Sequence, residues 1–463
     1  MLQRVGQVLA VLIRNWVPDP FVFALGLTLV VGLLALGFTD STPSTVIRSW
    51  YDGFWALLGF GMQMVLILST GYAIALAPVA SKAIDRISRL VQRPAVVYFM
   101  VSLITGLLTL ISWGWVVLGA VLARELAHRV RGLDYAYLTA CVYVASGLWV
   151  SGLSSSIPLL MNTEGNFLIE SGVLESTLGV DRTLGSTLNL TYVAAFVLLV
   201  PTLMVLLRPR RVDATPIDDL RDDDALRERS VEEEAASLSM PGRPISERLN
   251  HGTLLPGAIA VAGLVYVASH FREKGFSIDL NIMIFTFLML GMLAHRTPLR
   301  FVVAMRRACA NVSGIIFQYP FYAGIMGIMT YSGLGAALSE WIVGHASVAT
   351  LPMLAQFAGA IVNFAIPSAG GEWAVIGPSI AQAAQSMAIE AGLPPDALLS
   401  RVAMAVAYGE TSTNLLQPFY LLIILPVMGA GVRIQARDVV GYLVLPFLFM
   451  YTLTALLVSF VPL

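Results

Sequence analysis

Four polar interruptions of long apolar segments hold the side chains of this chain that could do chemistry. They fall at Ser112-Trp113-Gly114, at 151–156, at Asn363 with 367–372, and at 409–414 with Gln417. Irregular backbone at membrane depth is tolerated only where it is buried in protein or lines a polar cavity. A helix that starts after such a break presents unpaired N–H groups and a partial positive charge, which favours an anion. The breaks therefore predict a binding site for a small anion.

The predicted binding residues are hydroxyl, amide and small residues of the breaks, with glutamines from two neighbouring segments. They are Ser112, Trp113, Gly114, Ser154, Ser155, Ser156, Asn363, Ser368, Gly370, Gly371, Thr411, Ser412, Thr413, Asn414, Gln63, Gln318 and Gln417. No Lys or Arg lies in the middle of an apolar segment, so amides, hydroxyls and helix ends would hold the anion. This favours a small monocarboxylate over a di- or tricarboxylate.

Two carboxylates, Glu410 and Glu372, lie inside predicted breaks. A charge at membrane depth is costly and usually functional, so each is a candidate proton carrier or cation ligand. The alternative is a side chain that caps the next helix or reaches water. The hydroxyl runs could also hold Na⁺, or they could simply bond their own backbone. No cofactor, catalytic residue or metal site is predicted beyond H⁺ or Na⁺ as the coupling ion.

The elements that carry these breaks follow from composition. Hydrophobic residues make up 57% of the 463 positions and charged residues only 12%. Because 19 of the 57 charges lie in 208–251, the rest of the chain could not cover a soluble surface. With a net charge of −1, the chain also offers no basic surface for nucleic acid. The composition predicts an all-α, polytopic protein of the lipid bilayer.

Apolar runs of sufficient length predict the membrane spans. They are 21–38, 54–78, an interrupted span from 135, 188–207, 254–269, 280–294, 308–331, an interrupted span from 397, and 439–461. Pairs of short runs at 95–123 and 348–389 are interpreted as re-entrant hairpins from opposite faces. Lys and Arg in short loops place the N-terminus in the cytoplasm and the C-terminus outside. The segments 39–53 and 295–307 are taken as loops.

The order of elements predicts two inverted repeats, each with a re-entrant hairpin and an interrupted helix. An N-terminal amphipathic segment occupies 1–20, and the first repeat occupies 21–207. A charged, solvated cytoplasmic linker follows at 208–251, then a connecting span at 252–279 and the second repeat at 280–463. Such repeats, with broken helices near the midplane, are typical of secondary transporters.

Several sequence runs resemble the short-chain fatty acid transporter family, whose bacterial members include an acetoacetate- and butyrate-uptake protein. The resemblance extends over nearly the whole chain apart from the linker. It is carried by WVPDPF at 16–21, DGFW at 52–55, FGMQM at 60–64, FQYPFYAGI at 317–325, NFAIPSAGG at 363–371, AYGE at 407–410 and QPF at 417–419.

The resemblance implies uptake of short-chain fatty acids across the bacterial inner membrane. The family is grouped with the ion-transporter superfamily, whose members combine a scaffold with an elevator-like transport domain, usually as homodimers. The run Thr411-Ser412-Thr413 is similar to a sodium-site motif of that superfamily. The coupling ion therefore stays open between H⁺ and Na⁺.

The sequence thus predicts a secondary transporter of short-chain monocarboxylates that works by alternating access. One alternative is transport of another small organic anion on the same fold, and another is a passive anion channel. A membrane-embedded enzyme is disfavoured, because the predicted midplane holds only isolated carboxylates and the chain has no H-E-x-x-H, P-loop or G-x-S-x-G motif.

Overall fold

The computed structural model describes residues 20–79, 82, 86, 92–209, 214–220, 230–240, 244–275, 277–310, 312–363, 366, 368–417, 421–429 and 431–461. Apart from Pro20, the predicted N-terminal amphipathic segment lies outside the described residues. Two prolines of the predicted breaks, Pro367 and Pro418, also lie outside them.

The helices before the charged linker form around two breaks. They are α1 (Pro20–Phe38), α2 (Pro43–Phe54), α3 (Leu58–Ala75), α4 (Pro94–Ile111), α5 (Val116–Arg129), α6 (Tyr135–Ser146), α7 (Ser156–Met161), α8 (Phe167–Glu170) and α9 (Thr187–Leu206). Short 3₁₀ turns at Trp113–Trp115 and Gly147–Ser151 mark the breaks between α4 and α5 and between α6 and α7.

The rest of the chain is also built of helices separated by short irregular segments. Its helices are α10 (Val231–Ser237), α11 (Ile245–Asn250), α12 (Leu254–Lys274), α13 (Leu280–His295), α14 (Pro298–Ala310), α15 (Ser313–Tyr331), α16 (Leu334–His345), α17 (Leu351–Val362), α18 (Ala369–Glu390), α19 (Pro395–Thr413), α20 (Leu421–Met428), α21 (Ala436–Val440) and α22 (Val444–Phe460). Further 3₁₀ turns lie at Ile217–Leu220 and Asn414–Leu416.

Helices account for all regular elements in the described part of the chain. Five helical segments there are long and apolar enough to cross a bilayer: Leu58–Ala75, Pro94–Ile111, Tyr135–Met161, Thr187–Leu206 and Ile245–Lys274. A sixth is present if α15 and α16, which meet at a bend of 73°, count as one span. The predicted all-α, multi-pass class is confirmed.

The prediction of loops at 39–53 and 295–307 is wrong, because α2 and most of α14 occupy these segments. Both helices are amphipathic, so a search for uniformly apolar runs overlooks them. Thr42 caps α2, since its side chain accepts a hydrogen bond from the amide of Thr45, and Pro43 occupies the first turn. The buried face of α2 reaches α15 at Gly53 and Gly327. A Cβ on Gly53 would lie 2.4 Å from the Cα of Gly327, so this crossing requires glycine.

The helices pack as two sets. The flanking set contains α1 to α3 and α12 to α16: α2 packs on α15, and both α13 and α14 pack on α3. The break-bearing set contains α4 to α9 and α17 to α22: α4 packs on α6 and α9, while α17, α18 and α22 pack on α19. The sets meet where α3 contacts the turn Trp113–Trp115, and where α15 and α16 contact α18.

The charged linker is only partly the solvated loop that its composition predicts. Helix α10 packs on α14, and its Val231 and Ala235 are buried in a cluster with Ala73, Val303, Ala304 and Ala308. A short apolar face within an acidic run is enough to dock this helix. The solvated-loop prediction is therefore wrong for α10.

Candidate substrate and coupling site

The first break, between α4 and α5, is joined to the interrupted helix α6–α7 by two hydrogen bonds that backbone amides donate. The amide of Trp113 donates to Ser154 Oγ at 2.8 Å, and the amide of Leu153 donates to the carbonyl of Leu110 at 2.7 Å. Ser112 is fully buried, and a Cβ on Gly71 of α3 would lie 2.0 Å from its Oγ. The serine hydroxyl therefore packs against α3.

The second break, between α17 and α18, ends in a hydroxyl pair at a helix N-terminus. Ser368 caps α18, because its Oγ accepts from the amide of Gly371 at 3.4 Å, and it lies 2.7 Å from the Tyr319 hydroxyl. The neighbouring Tyr322 hydroxyl donates to Gln318 Oε1 at 3.0 Å. A helix N-terminus with adjacent hydroxyls favours the binding of an anion.

Small residues bring the N-terminus of α18, here called the second tip, against the flanking set. The turn at Ser112–Gly114 is called the first tip. A Cβ on Gly370 would lie 2.6 Å from the ring of Phe60, and one on Gly371 would lie 2.9 Å from the ring of Tyr322. Glycine at both positions therefore allows α18 to begin directly beside α3 and α15. The predicted pair Gly370 and Gly371 forms part of the tip, where the two sets of helices touch.

An amide network joins the C-terminal ends of α17 and α19. Asn363 Nδ2 donates to the Glu410 carbonyl at 3.0 Å, and to Thr413 Oγ1 and Asn414 Oδ1 at 2.8 Å each. Gln417 Nε2 donates to the Asn363 carbonyl. Asn414 Nδ2 donates to Glu410 Oε1 at 2.7 Å, so the network holds the Glu410 carboxyl in place.

The predicted interruption at 409–417 begins later than its composition indicates, because α19 continues through Thr413. Ser412 Oγ donates to the Tyr408 carbonyl at 2.7 Å, and Thr413 Oγ1 to the Gly409 carbonyl at 3.1 Å. These hydroxyls serve their own helix, which was the alternative interpretation of the run. Glu410 lies one turn before a helix C-terminus. The partial negative charge there favours a proton or a cation over an anion.

Glu372 lies in the first turn of α18 and does not project from the break itself. It is fully buried, and neither carboxyl oxygen has a hydrogen-bond partner among the described residues. A Cβ on Gly359 of α17 would lie 2.8 Å from Glu372 Oε1 and 2.7 Å from the carbonyl of Val406 of α19. Burying an unpaired carboxylate is costly, so a carboxyl in these surroundings is a candidate proton carrier.

The two interrupted helices meet beside Glu410. Thr411 Oγ1 donates to the Gly147 carbonyl at 2.9 Å, and the Tyr143 hydroxyl donates to the carbonyls of Asn414 at 2.5 Å and Gln417 at 3.1 Å. The breaks of the two halves therefore share hydrogen bonds.

Ser155 and Ser156, which follow the interruption of α6–α7, belong to the N-terminal end of α7. Ser155 is the N-cap residue of α7, and its hydroxyl donates to the Val150 carbonyl at 2.5 Å. Ser156 is the first residue of that helix. Of the three predicted serines, Ser154 is the one whose side chain bonds the first break.

Gln63 does not join the amide network. Its Nε2 donates to Asn281 Oδ1 of α13 at 2.8 Å, on a partly exposed face of α3. Gln63 thus stays a predicted site residue that lies apart from this network. Gln318, the other predicted glutamine, precedes Tyr319 in α15 and accepts a hydrogen bond from the Tyr322 hydroxyl.

The sequence interpretation missed the buried tyrosines around the breaks. Tyr143, Tyr319 and Tyr322 bond residues of the site, and the Tyr408 hydroxyl donates to Asn189 Oδ1 at 3.0 Å. A buried tyrosine hydroxyl usually finds a polar partner, so tyrosines within apolar spans are a signal that the sequence offers. The identity of each hydrogen-bond partner was not predictable, because most of these bonds join segments that are distant in the sequence.

The chain matches known proteins over its whole length. A family model described as "Short chain fatty acid transporter" matches residues 1–461. The chain belongs to the short-chain fatty acid transporter family. A protein of Escherichia coli K12, provisionally named a short-chain fatty acid transporter, is 35% identical over 451 residues, which cover 97% of each chain. A Haemophilus influenzae protein with the same provisional name is 34% identical over 448 residues, or 96% of each. The family is one of transporters, not enzymes.

Two solved structures have a similar fold. The YdaH transporter of Alcanivorax borkumensis, described as having an unusual topology, gives a TM-score of 0.59 at 16% identity, covering 96% of this chain and 98% of that one. MtrF of Neisseria gonorrhoeae, described with a class of antimetabolite efflux pumps, gives 0.54 at 15% identity, covering 100% and 98%. At these identities the likeness concerns the fold alone.

Proposed function

We propose that this member of the family carries a short-chain monocarboxylate, such as acetoacetate or butyrate, across the membrane by alternating access coupled to protons. The observation that carries the proposal is the buried carboxyl of Glu372, which has no hydrogen-bond partner among the described residues and lies one turn into α18, the helix that Ser368 caps. A candidate anion-binding group, Ser368, and a candidate proton-binding group thus lie at the same end of one helix, and the Tyr319 hydroxyl of α15 joins them there.

The substrate carboxylate is proposed to bind at the N-terminus of α18, between the two tips. Ser368, the Tyr319 hydroxyl and the first amides of α18 would hold it. The described breaks contain no Lys or Arg, which suits a single negative charge. Trp113 and Trp149, whose ring centroids are 6.4 Å apart beside the first tip, would wall a short apolar tail.

Proton coupling is proposed to use Glu372 and Glu410 as an interacting pair. Two carboxyls in one buried site do not both ionise easily, so a proton is bound or released as the site opens to water. Na⁺ is the second candidate, because two side-chain oxygens, Thr413 Oγ1 and Asn414 Oδ1, converge on the Asn363 amide nitrogen at the ends of α17 and α19. Oxygen ligands of this kind suit a hard cation.

The proposed architecture is a pair of inverted repeats with two re-entrant hairpins, in the bacterial inner membrane, with the N-terminus inside and the C-terminus outside. It is supported by the matching order of elements and by reciprocal packing: α2 lies on α15, and α14 lies on α3. The flanking set would be the scaffold, and the break-bearing set would be the elevator-like transport domain. The homodimer is proposed from the family resemblance.

The test is uptake of labelled acetoacetate and butyrate into proteoliposomes under a pH gradient or a Na⁺ gradient, with protein-free liposomes as the baseline. Saturable uptake above baseline that responds to pH supports the proposal. No saturable uptake of any carboxylate overturns it. Competition with a panel of acids separates another small organic anion, and currents above carrier rates would indicate a passive channel.

A further inference from the structure

A cavity of about 630 Å³ lies between the two sets of helices, at the end of α18 opposite the second tip. Its walls come from the segment 171–178, the end of α15, the start of α16, the second half of α18 and the first turns of α19. We propose that this cavity is a cation-selective vestibule, which admits the coupling cation toward Glu372 and excludes carboxylates. The inference deepens the proposed function, on which its link to Glu372 rests.

The wall that α18 contributes is polar and has no partners inside the protein. The side chains of Ser379, Gln382, Gln385 and Ser386 line the cavity, and none of the four makes a hydrogen bond to another described residue. Ser379 is only 2% exposed, and a Cβ on Gly335 of α16 would lie 3.0 Å from its Oγ. Polar groups left in this way are satisfied by water or by a hydrated ion, so the cavity is suited to an aqueous content.

The charged residues that line the cavity are both acidic. Glu175 follows α8, and Asp396 lies in the first turn of α19; both are exposed, and neither forms an ion pair within the described structure. No Lys or Arg is among the described lining residues. Carboxylates beside walls of low dielectric constant concentrate cations and repel anions. The sign of this charge therefore suits a coupling cation and opposes a carboxylate cargo.

The cavity lies on the same face of α18 as Glu372. Ser379 follows Glu372 by seven residues and Ser386 follows Ser379 by seven, a spacing that brings side chains to one side of a helix. At 1.5 Å per residue, Ser379 lies about 10 Å along the axis from Glu372. Val375 and Ile376 are buried between them, so the cavity stops short of Glu372 in this conformation. Because its walls belong to both sets, the proposed movement of one set past the other would open that step.

The charge selectivity can be measured without any cargo, by thiol modification in lipid nanodiscs that leave both faces accessible. Gln385→Cys is placed in a Cys309→Ser background, in which Cys141 is buried. Its rates of reaction are compared for a trimethylammonium-ethyl and a sulfonato-ethyl methanethiosulfonate. Thr187→Cys, exposed at the start of α9 and outside the cavity, corrects for the intrinsic reactivity of the two reagents. The cation-to-anion ratio should be about tenfold higher at Gln385→Cys, as two nearby carboxylates can supply.

Two double variants assign this selectivity to the lining acids. Glu175→Gln with Asp396→Asn should lower the ratio at Gln385→Cys to that of Thr187→Cys. Glu164→Gln with Asp181→Asn removes two exposed acids that do not line the cavity, so it changes the net charge equally and should leave the ratio as it was. An equal ratio at Gln385→Cys and Thr187→Cys overturns the proposal, and so does a ratio that Glu175→Gln with Asp396→Asn does not alter.

The link to Glu372 is tested on transport. The cationic reagent attached at Gln385→Cys should slow pH-driven uptake of labelled acetoacetate about fivefold, because its fixed charge repels the coupling cation. Exchange of labelled for unlabelled acetoacetate should be unchanged, and the same reagent at Thr187→Cys should alter neither rate. Equal slowing of uptake and exchange would show that the carboxylate itself uses the cavity, and unchanged uptake would show that the coupling cation does not; either result overturns the proposal. If the reagents discriminate as expected while no carboxylate is transported, the proposed function fails and the cation selectivity stands.

Discussion

The break between α4 and α5, before the charged linker, and the break between α17 and α18, after it, bury different chemistry. The first carries no ionisable side chain, and its amides are bonded by Ser154 and by the carbonyl of Leu110. The second is flanked by Asn363, whose amide serves three acceptors, and by the unpartnered carboxyl of Glu372. In the proposed mechanism, the first break therefore supplies the shape of the site, and the second break carries the candidate coupling groups.

The largest expected effect is that of Glu372→Gln. A neutral isostere mimics the protonated acid, so exchange of bound substrate should persist. The initial rate of uptake driven by a pH gradient should fall about 100-fold, since the coupling group cannot release a proton. Glu390→Gln, at the exposed far end of the same helix, is the matched control. Equal rates in Glu372→Gln and Glu390→Gln would show that Glu372 is structural.

Asn363→Ala should have the next largest effect, because it deletes a buried amide and strands several partners. We expect the free energy of unfolding to fall by about 3 kcal/mol, and uptake to fall with it. Ser154→Ala in the first half removes one hydrogen-bond acceptor, that of the Trp113 amide. It should lower the free energy of unfolding by about 1–2 kcal/mol without altering the pH profile of uptake. Thermal unfolding in detergent measures both. A larger loss of stability in Ser154→Ala than in Asn363→Ala would contradict this ranking of the two breaks.

A matched glycine pair tests whether the position of Glu372 matters. A Cβ at Gly359 would lie 2.7 Å from the backbone carbonyl of Val406 and 2.8 Å from Glu372 Oε1, whereas one at Gly106 in α4 would meet no atom of another element closer than 3.5 Å. Gly359→Ala should therefore reduce pH-driven uptake about tenfold, because it pushes α17 away from α19 and displaces the carboxyl. Gly106→Ala should stay within about twofold of wild type. A normal pH profile for Gly359→Ala would contradict the assignment.

The smallest expected effect concerns the two serines at the tips. Ser368 Oγ bonds both the Tyr319 hydroxyl and a helix amide, so Ser368→Ala should raise the KM for acetoacetate about fivefold with little change in kcat. Ser112 Oγ is buried against Gly71 without a hydrogen-bond partner in the described structure, and Ser112→Ala should change KM by less than about twofold. An equal rise in both would place the carboxylate symmetrically between the tips.

Uniform apolar runs allowed most of the helices of the fold to be predicted from sequence, because a span must satisfy its backbone internally and exclude charge. Amphipathic helices are not visible in this way, which is why α2 and α14 were missed. Docking of α10 was missed for a related reason. Its apolar face is only Val231 and Ala235, within a run of acids that reads as solvated chain.

Composition located the breaks, but it did not show whether a polar run starts a helix or lies at the end of one. Ser, Thr and Asn favour either a helix start or a bond to their own helix, and sequence does not separate the two. Ser412 and Thr413 bond carbonyls of their own helix, so α19 continues past Glu410, and Glu410 lies near a helix C-terminus. Bonds such as that between Tyr143 and Asn414 depend on contacts 271 residues apart, which periodicity does not encode.

The carboxyls of the second half are proposed to couple protons to carboxylate transport. The most direct measurement of this coupling is the initial rate of labelled acetoacetate uptake into proteoliposomes under a pH gradient, corrected for protein-free liposomes, in wild type and in Glu372→Gln. We expect the wild type to respond to the pH gradient and not to Na⁺, and Glu372→Gln to exchange substrate but to lose the response to pH. A Na⁺-driven wild type, or a fully pH-driven Glu372→Gln, would contradict proton coupling through Glu372.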